Sequence, residues 1–155
     1  MSRIKKMLLA ILIILIVIQF IQPARNTSGQ VLQTDIVKVS NVPQSVQTVL
    51  KTACYDCHSN NTRYPWYANV QPMGWLLARH VKEGKTELNF SEFGAYSTRR
   101  QANKLRAIEN TIKDGTMPLS SYLLLHKDAR LTETDKKEII NWALQAKDNL
   151  EQNKP

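Results

Sequence analysis

Cys54-Tyr55-Asp56-Cys57-His58 contains both cysteines of this 155-residue chain. Their spacing, C-x-x-C followed at once by histidine, is that of a covalent c-type haem attachment site. Two thiols three positions apart on one helical turn can each form a thioether to a haem vinyl group. The histidine next to them then offers a ring nitrogen to the iron as proximal ligand. Cys54 and Cys57 are therefore expected to hold one haem c, with His58 as its axial base.

Other uses of a close cysteine pair fit less well. A thioredoxin-like dithiol needs a βαβ setting, and no strand alternation precedes Cys54. A structural zinc site needs four ligands, whereas the remaining histidines, His80 and His126, lie far apart and no second cysteine pair exists. A disulfide across so short a loop would stabilise little.

Helical periodicity surrounds the motif. Upstream, Val42, Val46, Val49, Leu50 and Ala53 form one stripe that runs into the two cysteines. Ser59 to Thr62 stop that helix, and Arg63-Tyr64-Pro65-Trp66-Tyr67 forms an aromatic loop. A second helix is expected from Pro72 to Gly84, with Met73, Leu76, Leu77, His80 and Val81 as its stripe. A third spans about Ser97 to Asp114, with Leu105, Ile108 and Ile112 inward and Gly115 as its stop. A last one opens at Thr132-Glu133-Thr134-Asp135, a variant capping box, and buries Ile139, Ile140, Ala143 and Leu144. Nothing predicts a sheet.

The N-terminus looks like a targeting segment. Arg3, Lys5 and Lys6 precede twelve uninterrupted apolar residues, Met7 to Ile18. From Ile4 to Ile21 a helix would extend about 27 Å, close to a bilayer core. No A-x-A cleavage site and no lipobox cysteine follow, so the expectation is an uncleaved inner-membrane anchor, single-pass, with the body on the periplasmic side. Cleavage near Ala24 is the alternative. Export suits the motif, since bacterial thioether attachment takes place outside the cytoplasm. The formal charge is +8, of which the N-terminal segment holds three. That suits an acidic protein partner or anionic lipid. No basic helix or aromatic-basic interleaving points to nucleic acid.

The second axial position has four candidates, Met117, Met73, His80 and His126, or it is open. Met117 stands in Gly115-Thr116-Met117-Pro118, directly after a helix stop, on a proline-stiffened segment able to carry a thioether to the iron. Histidine with methionine suits electron transfer. His80 sits on an apolar stripe, where a satisfied core histidine or a propionate partner is the competing role. His126 follows three leucines and is equally suited to orienting its loop.

With its C-x-x-C-H helix, its Gly-x-Met-Pro loop and Trp142 on the final helix, the chain resembles the class I cytochromes c. More narrowly, it is similar to the bacterial single-haem proteins of the haem-binding domain family. The residues that carry this likeness are Cys54 through Tyr67, His80 to Lys85, Leu88 to Phe93, Met117-Pro118-Leu119 and Tyr122, within about residues 40–147. The resemblance implies an all-α, cytochrome c-like fold around covalent haem. Arg63, Tyr64, Trp66 and Tyr67 are then expected at the haem edge, packing or bonding to propionates, with His80 also near.

The expected organisation is a signal-anchor or transmembrane helix at 1–22, a tether at 23–41, the haem domain at 42–148 and a tail at 149–155. The expected function is single-electron transfer between a protein donor and acceptor, acidic or membrane-bound, without enzymatic turnover. The alternatives are a haem-based gas or redox sensor, or a small peroxidase with an open iron face.

Overall fold

The computed structural model describes residues 2–152; Met1 and residues 153–155, which include the end of the expected tail, lie outside the described residues. Among the described residues the architecture is helical. Eight α-helices follow one another: α1 Arg3–Val17, α2 Ile36–Val39, α3 Gln44–Ala53, α4 Tyr55–His58, α5 Met73–Glu87, α6 Thr98–Lys113, α7 Ser120–Leu123 and α8 Glu133–Gln152. The one extended pairing among them is an isolated antiparallel bridge between Thr27 and Asn61.

α6 and α8 are the main pair. Ala102, Leu105, Ile108 and Ile112 recur at helical spacing and are the buried residues of α6; the last three join Ile139, Trp142, Ala143 and Ala146 of α8 in the core. Burying a side chain such as Leu105 or Ile139 contributes about 1.5–3 kcal/mol relative to leaving it exposed. The ends of both helices follow local side-chain cues. Ser97 caps α6 by accepting from the Arg100 amide, and Gly115, at φ +66°, turns the chain away after it. At α8, the Thr132 hydroxyl accepts from the Asp135 amide at 3.1 Å, while the Asp135 carboxylate accepts from the Thr132 amide at 2.8 Å.

A second, smaller cluster of Ala68, Leu77 and Val81 sits under α5. Here the structure differs from the expected helix end at Gly84, because α5 continues to Glu87. Gly84 serves contact instead. A Cβ at this position would lie 2.7 Å from the Cys57 carbonyl oxygen, so only glycine lets α5 approach the α4 backbone this closely.

The N-terminal expectations are corrected. α1 has 15 residues, which at 1.5 Å each give about 22 Å against a hydrocarbon core of about 30 Å. No helix among the described residues is long and apolar enough to cross a membrane, so the expected transmembrane helix and single-pass inner-membrane location are not supported. The residues counted toward that span after Val17 do something else. Gln19 accepts from the Gln71 amide at 2.8 Å, Gln22 accepts from the Gln71 side chain at 3.0 Å, and the Ile21 carbonyl accepts from the Trp75 indole at 2.8 Å. The polar segment expected as a tether also packs on the body. Its Asp35 and Ile36 are buried, and the Asp35 carboxylate accepts from the Tyr55 hydroxyl at 2.7 Å.

Candidate functional site

The helix ending at Ala53 does not run straight into the motif. Cys54 leaves helical geometry (φ −127°, ψ −40°), and its carbonyl accepts from the amides of Cys57 at 3.2 Å and His58 at 3.0 Å. This one turn places both thiols and the imidazole on the wall of a cavity of about 190 Å³. The wall opposite in sequence comes from Met117, Pro118, Leu119 and Tyr122, and α5 adds His80, Glu83, Gly84 and Glu87. A neighbouring cavity of about 220 Å³ shares Ala53, Cys54, His58, Glu87, Met117 and Pro118 with the first. It extends to Leu50, Ile108, Ile112 and Ile139 of the main core. Cys54 packs against that core, whereas Cys57 packs against the smaller cluster under α5. The site lies where the two meet.

His58 is prepared as a base. Its Nδ1 lies 3.0 Å from the Leu88 carbonyl oxygen. A carbonyl can only accept, so Nδ1 carries the proton and Nε2 keeps its lone pair. Burial lowers the imidazole pKa, against the opposing pull of backbone carbonyls, and so favours the neutral form that a metal requires. The ring also packs against Phe90, with centroids 5.9 Å apart.

The thiols are free. Burial, with the neighbouring Cys57 second, pushes the Cys54 thiol up to about 12. Burial, with Asp56 second, pushes Cys57 up to about 11. A thioredoxin-type dithiol needs the reverse, a depressed pKa in an electropositive setting. Among the described residues no group of three or more His, Cys, Asp or Glu side chains is placed to hold a metal ion.

Asp56, between the cysteines, is buried and fully engaged. Its carboxylate accepts from the Arg63 amide at 3.1 Å, from Arg63 Nε at 3.2 Å and from the Tyr122 hydroxyl at 2.9 Å. Burial first, and this carboxylate second, hold the Tyr122 phenol well above its usual range, so it remains a donor. Thr62 donates to the Asp56 carbonyl at 2.6 Å and closes the turn.

The sequence-predicted residues divide clearly. Cys54, Cys57, His58, Met117 and His80 line the cavity. Arg63, Tyr64, Trp66 and Tyr67, expected at the haem edge, do not. Arg63 is held on Asp56 and faces solvent. Tyr64 is turned to the N-terminal segment, accepting from the Asn26 amide at 2.7 Å beneath the Arg25 guanidinium. Trp66 is 77% exposed. The Tyr67 hydroxyl lies 3.3 Å from His126 Nε2, and His126 Nδ1 lies 3.1 Å from the Tyr122 carbonyl, so both nitrogens of His126 are in use. Met73, on the exposed side of α5, is not at the cavity.

Sequence reasoning assigned no role to Asp56, Tyr122, Lys104 or the Leu88 carbonyl. Lys104 is the one lysine or arginine that lines either cavity among the described residues, 3.8 Å from Glu87. Asp56 and Tyr122 did stand among the residues that carry the resemblance, whereas a backbone carbonyl has no signature in sequence.

The residues present fit a haem. One wall supplies two thiols and an imidazole whose outer nitrogen is unprotonated, another a thioether, and the rest is mostly apolar. Compared with known families, residues 13–145 match the one described as a haem-binding domain. No curated protein and no solved structure matches the chain.

Proposed function

Because the chain belongs to the haem-binding domain family, we propose that it is a single-haem c-type cytochrome that passes electrons one at a time between protein partners. Cys54 and Cys57 would hold the haem through thioethers, and His58 Nε2 would take the iron. Met117 is the proposed second axial ligand, because it lines both cavities whereas His80 lines only one. A haem bound there supplies a reversible one-electron couple, with histidine and methionine favouring the reduced iron.

The observation that carries this reading is the convergence of Cys54, Cys57, His58 and Met117 on one cavity, with His58 Nδ1 already committed to Leu88. The protein's own groups have three tasks. The Leu88 carbonyl fixes the imidazole plane, which a ligand must keep through both oxidation states. Leu50, Ile108, Ile112 and Ile139 would give a bound haem an apolar wall. Lys104 lines the same cavity and would neutralise a propionate. Removing its charge by Lys104→Gln favours the more positive, oxidised iron, so the reduction potential should fall in a redox titration while the spectrum keeps its shape. The formal charge of +8 suits an acidic partner protein.

Optical spectra of the oxidised and reduced holoprotein, with and without carbon monoxide, test the assignment. The expected result is a low-spin spectrum, a far-red sulfur-to-iron band lost in Met117→Ala, and no carbon monoxide shift in the parent protein. A high-spin spectrum with ready carbon monoxide binding would sink the electron-carrier reading. It would favour a sensor or peroxidase.

A further inference from the structure

Segment 116–126 covers one side of the cavity; Met117, Tyr122 and Leu123 pack, partly buried, against the main core, and the rest of it has few anchors. Its helix, α7, has four residues, Ser120–Leu123. Leu124 and Leu125 beyond it are 76% and 58% exposed, so they contribute little burial. At its start, the amides of Thr116 and Met117 donate to the Thr111 carbonyl at 3.0 and 3.4 Å, which ties them to the end of α6. Among the described residues, two side-chain hydrogen bonds cross to the cysteine side. One runs from the Tyr122 hydroxyl to the Asp56 carboxylate at 2.9 Å, and the other joins Tyr67 and His126 at 3.3 Å.

We propose that Tyr122 is the positioning residue of this side. Through its hydrogen bond to Asp56, it latches the Met117 segment onto the turn that carries the two cysteines. The inference rests on Met117 as the distal ligand and goes beyond it by naming what holds that ligand in place.

The latch has a fixed anchor at one end. Asp56 is 6% exposed, and Arg63 holds its carboxylate through both its backbone amide and its guanidinium. It is backed at the other end. The His126 ring stacks on the Tyr122 ring, with centroids 3.9 Å apart and an interplanar angle of 9°, and blocks the phenol from swinging outward. Tyr122 itself lines the cavity between these two contacts. A hydrogen bond to a buried, arginine-paired carboxylate is among the stronger kinds. Its loss raises the open fraction of a lightly held segment about tenfold or more.

The test uses the holoprotein with Tyr122→Phe, which deletes the hydroxyl and keeps the ring, and with Asp56→Asn as an independent removal of the charged acceptor. Met117→Ala is the reference and Thr132→Ala, far from the latch in role, is the control for general destabilisation. The readouts are covalent haem content, the far-red sulfur-to-iron band, and the rate of carbon monoxide binding to the reduced protein. Tyr122→Phe should keep full haem content, bind carbon monoxide about tenfold faster than the parent, and lose the far-red band at a lower temperature. Asp56→Asn should move the same readouts in the same direction, and Thr132→Ala should leave the carbon monoxide rate unchanged. A rate within twofold of the parent in Tyr122→Phe, while Met117→Ala binds carbon monoxide freely, overturns the latch and leaves the ligand assignment standing. An unchanged far-red band in Met117→Ala removes the ligand assignment and the latch with it.

Discussion

The two sides of the cavity are built in opposite ways. The cysteine side is redundant: the Cys54 carbonyl collects two amides, Leu88 holds His58, Gly84 lets α5 close against Cys57, and Arg63 holds Asp56 through both its amide and its guanidinium. The methionine side is a thin segment with exposed Leu124 and Leu125; Met117, Tyr122 and Leu123 pack partly buried on the main core, and it is tied at its start to α6 and across the cavity by tyrosines. On the proposed ligand set, one side would fix its ligand through several contacts, and the other would hold its ligand through few.

That contrast can be broken most severely at the thiols. Replacing both, Cys54→Ser with Cys57→Ser, should abolish covalent haem altogether, read as the absence of haem on the denatured polypeptide. Next comes Gly84→Ala. The added methyl meets the Cys57 carbonyl oxygen at 2.7 Å, backbone against backbone, so α5 must withdraw. Overpacking of this kind costs about 1–3 kcal/mol. It should lower the denaturation midpoint of the apoprotein and reduce haem incorporation, because the displaced turn carries both attachment points. A stability unchanged from the parent would show that α5 does not brace the cysteine turn. The smallest effect belongs to Thr132→Ala. Loss of this cap should cost about 1 kcal/mol in denaturant unfolding. Its effect should stop there, with ligand-field bands and carbon monoxide behaviour as in the parent. A spectral change there would mean that α8 reaches the iron site more directly than its position in the main core implies.

The sequence made legible what is encoded by neighbours in the chain. Ser97 and Gly115 bound α6, and Thr132 with Asp135 opens α8, because a cap is a contact over three or four residues. C-x-x-C-H is local in the same sense. What escaped was set by distant partners. Gly84 reads as a helix stop by composition, yet its lack of a side chain is used against Cys57, on another helix. Asp35 and Ile36 sit in a polar stretch that looks like a tether, and only Tyr55 and the core explain their burial. Arg63, Tyr64 and Trp66 follow the motif directly, yet none lines either cavity: Arg63 bonds Asp56, and Tyr64 accepts from Asn26 of the N-terminal segment. The apolar run at the N-terminus has the hydropathy of a span but stops being an α-helix at Val17, where Gln19 and Gln22 begin to bond the body.

The hydrogen bond that orients His58 joins residues 30 positions apart, whereas the one that ties Tyr122 to Asp56 joins residues 66 apart. The loop that the second bond closes is about twice as long as the first, and a doubling of loop length costs about 0.6 kcal/mol more in chain entropy. The cysteine side is therefore the cheaper of the two to assemble.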